Sequence, residues 1–116
     1  MDIFILPIYI PGTLTGNHIV TFELPFDAQL IHVSAVASNA SNGLITIGNS
    51  DDDDIYLDDS DLGDSADPAE YGRTDFINDQ YPHIANGTII KVTIDYDGAS
   101  GTAAQNVFVV LTFSVG

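Results

Sequence analysis

The residues best equipped for chemistry are acidic: Asp51, Asp52, Asp53 and Asp54, then, after Ile55-Tyr56-Leu57, Asp58, Asp59, Asp61, Asp64, Asp67 and Glu70. Hard cations such as calcium take several carboxylate and carbonyl oxygens at about 2.3–2.6 Å, which makes Asp51, Asp53, Asp59 and Asp61 candidate ligands. The best fit to an EF-hand loop starts at Asp59, with Asp61 third and Glu70 twelfth. Gly63 then falls fifth, where an oxygen ligand is required, and Asp64 sixth, where the turn glycine belongs. Paired carboxylates such as Asp58 and Asp59 could serve as general acid and base, but nothing in their spacing sets the separation of the two groups or raises one pKa. His18, His32 and His83 are too dispersed for a metal motif. The reading adopted is a solvated acidic loop held by Ile55, Tyr56, Leu57 and Leu62, with no catalytic residue, no metal and no cofactor assigned.

The elements that position these residues are set by the charge layout. Residues 49–82 hold 12 of the 17 acidic residues with Arg73 as their single base, a net charge of −11, and interrupt an otherwise β-patterned chain. The rest carries five acids against Lys91. With one Lys and one Arg the chain can neutralise almost no phosphate, so nucleic acid is excluded as a partner and anionic membrane is disfavoured. A formal charge of −15 keeps copies apart in solution unless salt screens it.

A chain of 116 residues, 45% of them hydrophobic, reads as a single domain spanning residues 1–116, large enough for one two-layer core. Cysteine is absent, so packing must supply the stability. The start, Met1-Asp2-Ile3-Phe4-Ile5-Leu6-Pro7, lacks the positive region of a signal peptide, and no apolar run approaches the ~20 residues of a spanning helix.

Residues 3–10 are apolar on both faces of an expected strand, with Phe4, Leu6, Ile8 and Ile10 on one side and Ile3, Ile5 and Tyr9 on the other. Pro7 cannot donate to a ladder, so this strand is expected at a sheet edge or under a partner. Val20, Phe22 and Leu24 share the apolar face of a second strand. In residues 29–38, Ile31, Val33, Ala35 and Ala37 are expected on one face, opposite Leu30, His32, Ser34 and Val36. A strand over 44–48 follows Asn42-Gly43, and one over 88–97 follows Asn86-Gly87, both pairs read as tight positive-φ turns. Residues 97–102 are expected as a hairpin loop before a last strand with Val107, Val109, Leu111, Phe113 and Val115 inward and Phe108 and Val110 outward. The single helical turn expected lies at Asp67-Pro68-Ala69-Glu70-Tyr71. Short strands with turn signals about every ten residues indicate an all-β fold, an antiparallel two-sheet sandwich of six or seven strands, jelly-roll-like, with a long acidic central loop.

Tyr56, Tyr71, Phe76 and Tyr81 punctuate that loop; they either pin it to the sandwich or present a surface to a sugar or protein. Asn39-Ala40-Ser41 and Asn86-Gly87-Thr88 match the glycosylation tripeptide.

Three segments carry a family likeness: residues 20–30 (Val-Thr-Phe-Glu-Leu-Pro-Phe-Asp-Ala-Gln-Leu), 46–57 (Thr-Ile-Gly-Asn-Ser, four Asp, Ile-Tyr-Leu) and 84–88 (Ile-Ala-Asn-Gly-Thr). Together they resemble the small β-sandwich accessory proteins of tailed bacteriophages that decorate or cement the capsid, in which a strand ending in Gly leads into an Asp-rich turn followed by Tyr-Leu. The resemblance implies a non-enzymatic structural protein located in the virion, bound to the major capsid protein and self-associated as a homotrimer. Ile3, Phe4, Ile5, Leu6 and Ile8 are the expected partner contacts, because so apolar an edge strand is an association site. The rival expectation is a fibre or adhesion module that contacts a host glycan through the aromatic loop, with or without calcium.

Overall fold

A computed structural model of the chain describes residues 2–115. Among the described residues nine strands form, against the six or seven expected, the excess being short strands inside and just after the acidic stretch: β1 (Asp2–Thr13), β2 (His18–Glu23), β3 (Ala28–Val36), β4 (Leu44–Asn49), β5 (Leu57–Asp61), β6 (Ala69–Tyr71), β7 (His83–Ile84), β8 (Ile89–Asp95) and β9 (Gln105–Val115). One sheet runs β1-β9-β3-β6, with β7 also on β3, and the other runs β2-β8-β4-β5. Every strand pairing within them is antiparallel. The pairs nest, β1 with β9, β2 with β8, β3 with β6 and β4 with β5. That nesting is the jelly-roll sandwich, to which β7 is a two-residue addition.

The inward faces meet in one core that includes Leu30, Val33, Ile45, Ile47, Ile90, Val92, Ile94, Leu111 and Phe113, all almost fully buried. Each such side chain contributes about 1.5–3 kcal/mol on leaving water. No polar or charged residue is buried among the described residues. The alternation expected for β8 and β9 holds, with Ile90, Val92, Ile94, Val107, Val109, Leu111 and Phe113 buried, and on β2 Val20 and Phe22 are half-buried between exposed neighbours, with Leu24 buried just beyond the strand.

Five further expectations need correction. The acidic stretch is not one loop, because β5 and β6 lie within it and two 3-10 turns, Arg73–Asp75 and Ile77–Asp79, follow. No helix forms at Asp67; Ala69–Tyr71 is strand β6, paired with β3, and Asp67 instead bridges to Asp64. The pairing of β3 with β9 shifts between Leu30 and His32, so an extra residue at Ile31 moves Leu30 and Ala28 into the core while Val33, Ala35 and Ala37 keep their inward places. Residues 97–102 do not close a hairpin, since β8 and β9 belong to different sheets and the segment crosses between them. Asn42-Gly43 makes no positive-φ turn; the Asn42 side chain instead accepts the Thr102 N–H at 2.7 Å. Asn86-Gly87 does turn as expected, with Gly87 at φ 87 and the Thr88 N–H on the Ala85 carbonyl at 3.1 Å.

Candidate interaction face

The four Asp residues offered as cation ligands are spread over β5 and the turn before it. Asp51 and Asp53 lie in the turn after β4, whereas Asp59 and Asp61 lie on β5. Each environment has its own use for the carboxylates. Asp53 binds the Lys91 ammonium at 3.0 Å, and Asp59 accepts the Thr46 hydroxyl at 2.9 Å. Elsewhere the side-chain oxygens cap turns: Asn49 accepts the N–H groups of Asp51 and Asp52, and Asp64 those of Ala66 and Asp67, all at 2.9 Å. This is the ordinary service of Asn and Asp in turns. Among the described residues no three His, Asp or Glu side chains gather as a metal ion would require.

Crowding leaves a trace at Asp54. A side-chain hydrogen bond with Asp52, then slight desolvation and repulsion from Asp52 and Asp58, raises its pKa above 3.8. The turn is held close by Gly48, where an added Cβ would lie 2.0 Å from the Asp52 carbonyl oxygen, so only glycine lets the chain fold back there.

The histidines do not converge. His18 touches the Gly16 carbonyl at 3.2 Å, His32 lies 3.6 Å from Glu70, and His83 pairs with Gln29 in register. Of the loop aromatics, Phe76 and Tyr56 are buried and pin the loop. Tyr71 donates its hydroxyl to the Asp61 carbonyl, and burial, with Asp61 and Asp75 nearby, raises its pKa above 10.0, so it stays a donor. Tyr81 is exposed beside Ile55 and Ile77 at an open depression of about 330 Å³.

The strongest surface feature is on the other sheet. In the β1–β9 register Ile3 faces Ser114, Ile5 faces Thr112, Pro7 faces Val110 and Tyr9 faces Phe108. These side chains share the outer face, where Ile3 (49%), Ile5 (59%), Tyr9 (56%) and Phe108 (39%) remain exposed and the Tyr9 and Phe108 rings lie 6.0 Å apart. After Asp2, neither β1 nor β9 contains an Asp, Glu, Lys or Arg, and β3 contains none either. Ionisable side chains return with His32 on β3, His83 on β7 and Glu70 and Tyr71 on β6.

The expected contact residues therefore divide. Ile3 and Ile5 point outward, Leu6 and Ile8 pack against the core, and Phe4 sits at the rim against Phe26 and Phe113. Tyr9 and Phe108 belong to the face but were not among the contacts read from sequence. The alternation of β9 did show Phe108 outward; that it meets Tyr9 depends on register.

No family model matches the chain, and no curated protein matches it. Among solved structures it is similar to a chain of a cyanophage Pam1 capsid asymmetric unit, with a TM-score of 0.58, 16% sequence identity and coverage of 99% of this chain and 84% of that one. At that identity the likeness is one of fold, the two-sheet sandwich over the whole chain.

Proposed function

We propose that this chain is a non-enzymatic structural protein of a phage virion, a decoration or cement protein that lies on the outer capsid surface and grips the major capsid protein through the outer face of β1 and β9. The observation that carries the reading is an apolar, charge-free face on a molecule of net charge −15. Interface centres are depleted of charge and favour aromatic residues, because desolvating an unpaired carboxylate costs free energy that no contact returns. The carboxylates around β5 lie on the opposite sheet, so a shell bound at β1 and β9 leaves them turned to solvent. The fold shared with a chain of the cyanophage capsid unit supports the same reading. A homotrimer, the arrangement implied by the resemblance, completes the proposal; light scattering of the free protein gives its mass.

The test mixes purified protein with shells that lack it and measures co-sedimentation. Ile5→Asp should weaken attachment by at least about tenfold, since a carboxylate would be buried unpaired, while melting stays unchanged because Ile5 is exposed. Replacing Asp51 to Asp54 with Asn should leave attachment intact. Wild-type attachment by a folded Ile5→Asp variant overturns the assignment. Copy number separates the rival: a decoration protein covers the particle, whereas a glycan-binding fibre module occurs in a handful of copies.

A further inference from the structure

Five strands border the two sheets, and four of them are blunted, β7 by having only two residues. β6 has three residues with Glu70 at its centre, β5 carries Asp58, Asp59 and Asp61, and β2 carries Glu23. Short length and charge are the usual protections of an edge against pairing. β1 runs for 12 residues and carries no charge after Asp2; Pro7 interrupts it once, and Pro11-Gly12 breaks its end, where the pairing with β9 shifts between Ile10 and Thr13.

The backbone direction of that edge follows from hydrogen bonds three strands away. The Ala37 N–H binds the Gly63 carbonyl at 2.8 Å and the Gly63 N–H binds the Ala35 carbonyl at 3.2 Å, so Ala35 and Ala37 present their peptide groups away from β9. Peptide groups alternate sides along a strand, so Ser34 and Val36 present theirs to β9. Ser34 is paired with Val110, which therefore turns its own toward β3 and away from β1. Pro7, paired with Val110, then points its nitrogen away from β9, where the missing N–H costs no ladder bond. By the same alternation Ile3, Ile5 and Tyr9 present N–H and C=O to the open edge.

The inner side of β1 is also incompletely covered. Leu6, Ile8 and Ile10 are half-buried, and Phe4 is 36% exposed although it touches the core. One more strand beside β1 would satisfy the free peptide groups, extend the Ile3, Ile5 and Tyr9 face and close over Phe4, Leu6 and Ile8.

We infer that the open edge of β1 accepts an added strand supplied by the capsid shell, an extended uncharged segment with apolar side chains on both faces. This rests on the proposed attachment to a shell and names its mode, backbone pairing rather than contact between side-chain faces alone.

Proline substitution tests it, because at positions 3 and 5 proline removes outward N–H groups and leaves the β1–β9 ladder alone, as Pro7 does. Ile3→Pro with Ile5→Pro should weaken co-sedimentation with shells roughly tenfold, from a net loss of two- to tenfold per hydrogen bond. In the wild-type protein, hydrogen exchange resolved to single amides should be fast at Ile3, Ile5 and Tyr9 when free and slow by at least about tenfold when bound; this reading stands even where a proline variant does not fold. If Ile5→Asp abolishes attachment while the folded proline variant binds normally and these amides still exchange quickly, strand addition is overturned and face docking survives. If Ile5→Asp binds normally, the attachment proposal fails as well. If the amides are already slow in free protein whose mass is a multiple of the chain, the edge is filled by a second copy and the capsid strand is overturned.

Discussion

The β1–β9 edge and the β4–β5 side of this sandwich rest on the same core, yet strands β1 and β9 carry no ionisable acid or base beyond Asp2 and Tyr9, while the β4–β5 side holds a dense run of carboxylates. The difference teaches what each surface has to satisfy. Carboxylates around β5 are exposed and are used locally, Asp64 as a turn cap and Asp53 and Asp59 as partners of Lys91 and Thr46. The β1–β9 face has no such local use for its apolar side chains, and exposing several together is costly unless something covers them.

Three perturbations sharpen that contrast. The largest effect is expected from Gly48→Ala, whose Cβ would collide with the Asp52 and Asp53 backbone at 2.0–2.4 Å. Overpacking against backbone should cost about 3 kcal/mol, read by urea unfolding. Attachment through β1 should persist wherever the variant is folded; parallel loss of attachment would mean that the acidic turn takes part in docking.

Next comes Lys91→Met. Lys91 is the one Lys or Arg on the strands of its sheet, and it ties Asp53 across the face of β8. Because Asp53 is mostly exposed, the loss should be about 0.5–1 kcal/mol at low salt, shrinking as sodium chloride screens the carboxylates. Calcium at matched ionic strength should add nothing further; selective stabilisation by calcium would restore a ligand role for Asp51, Asp53, Asp59 and Asp61.

The smallest effect is that of Asp54→Asn. A raised carboxyl pKa means that the fold favours the protonated form, so its stabilising contribution is complete below 3.8 and is lost as pH rises through the raised value. Asp54→Asn should therefore melt slightly higher than wild type at pH 7 and match it at pH 3.5. A variant that melts lower at pH 7 would show the carboxylate to be a needed acceptor.

Periodicity alone determined much of this protein. Alternation in residues 18–24, 88–97 and 107–115 named the inward faces of β2, β8 and β9, because a half-buried strand must place apolar side chains every second residue. Pro7 marked β1 as an edge for an equally local reason, its missing N–H. What sequence left unread depended on partners distant in the chain. The bulge at Ile31 moves Leu30 inward only because β9 fixes the register beside it, and residues 57–61 and 69–71 are too polar or too short to show as strands until β4 and β3 pair with them. The candidate face is divided in the same way: Ile3 and Ile5 were legible as apolar, but the joining of Tyr9 to Phe108, 99 positions apart, and the outward turn of the β1 peptide groups exist only once β1, β9 and β3 lie side by side. Local patterning can fix which face of a strand is apolar, whereas which strands adjoin, and which edge stays open, is decided by long-range backbone pairing that no single segment encodes.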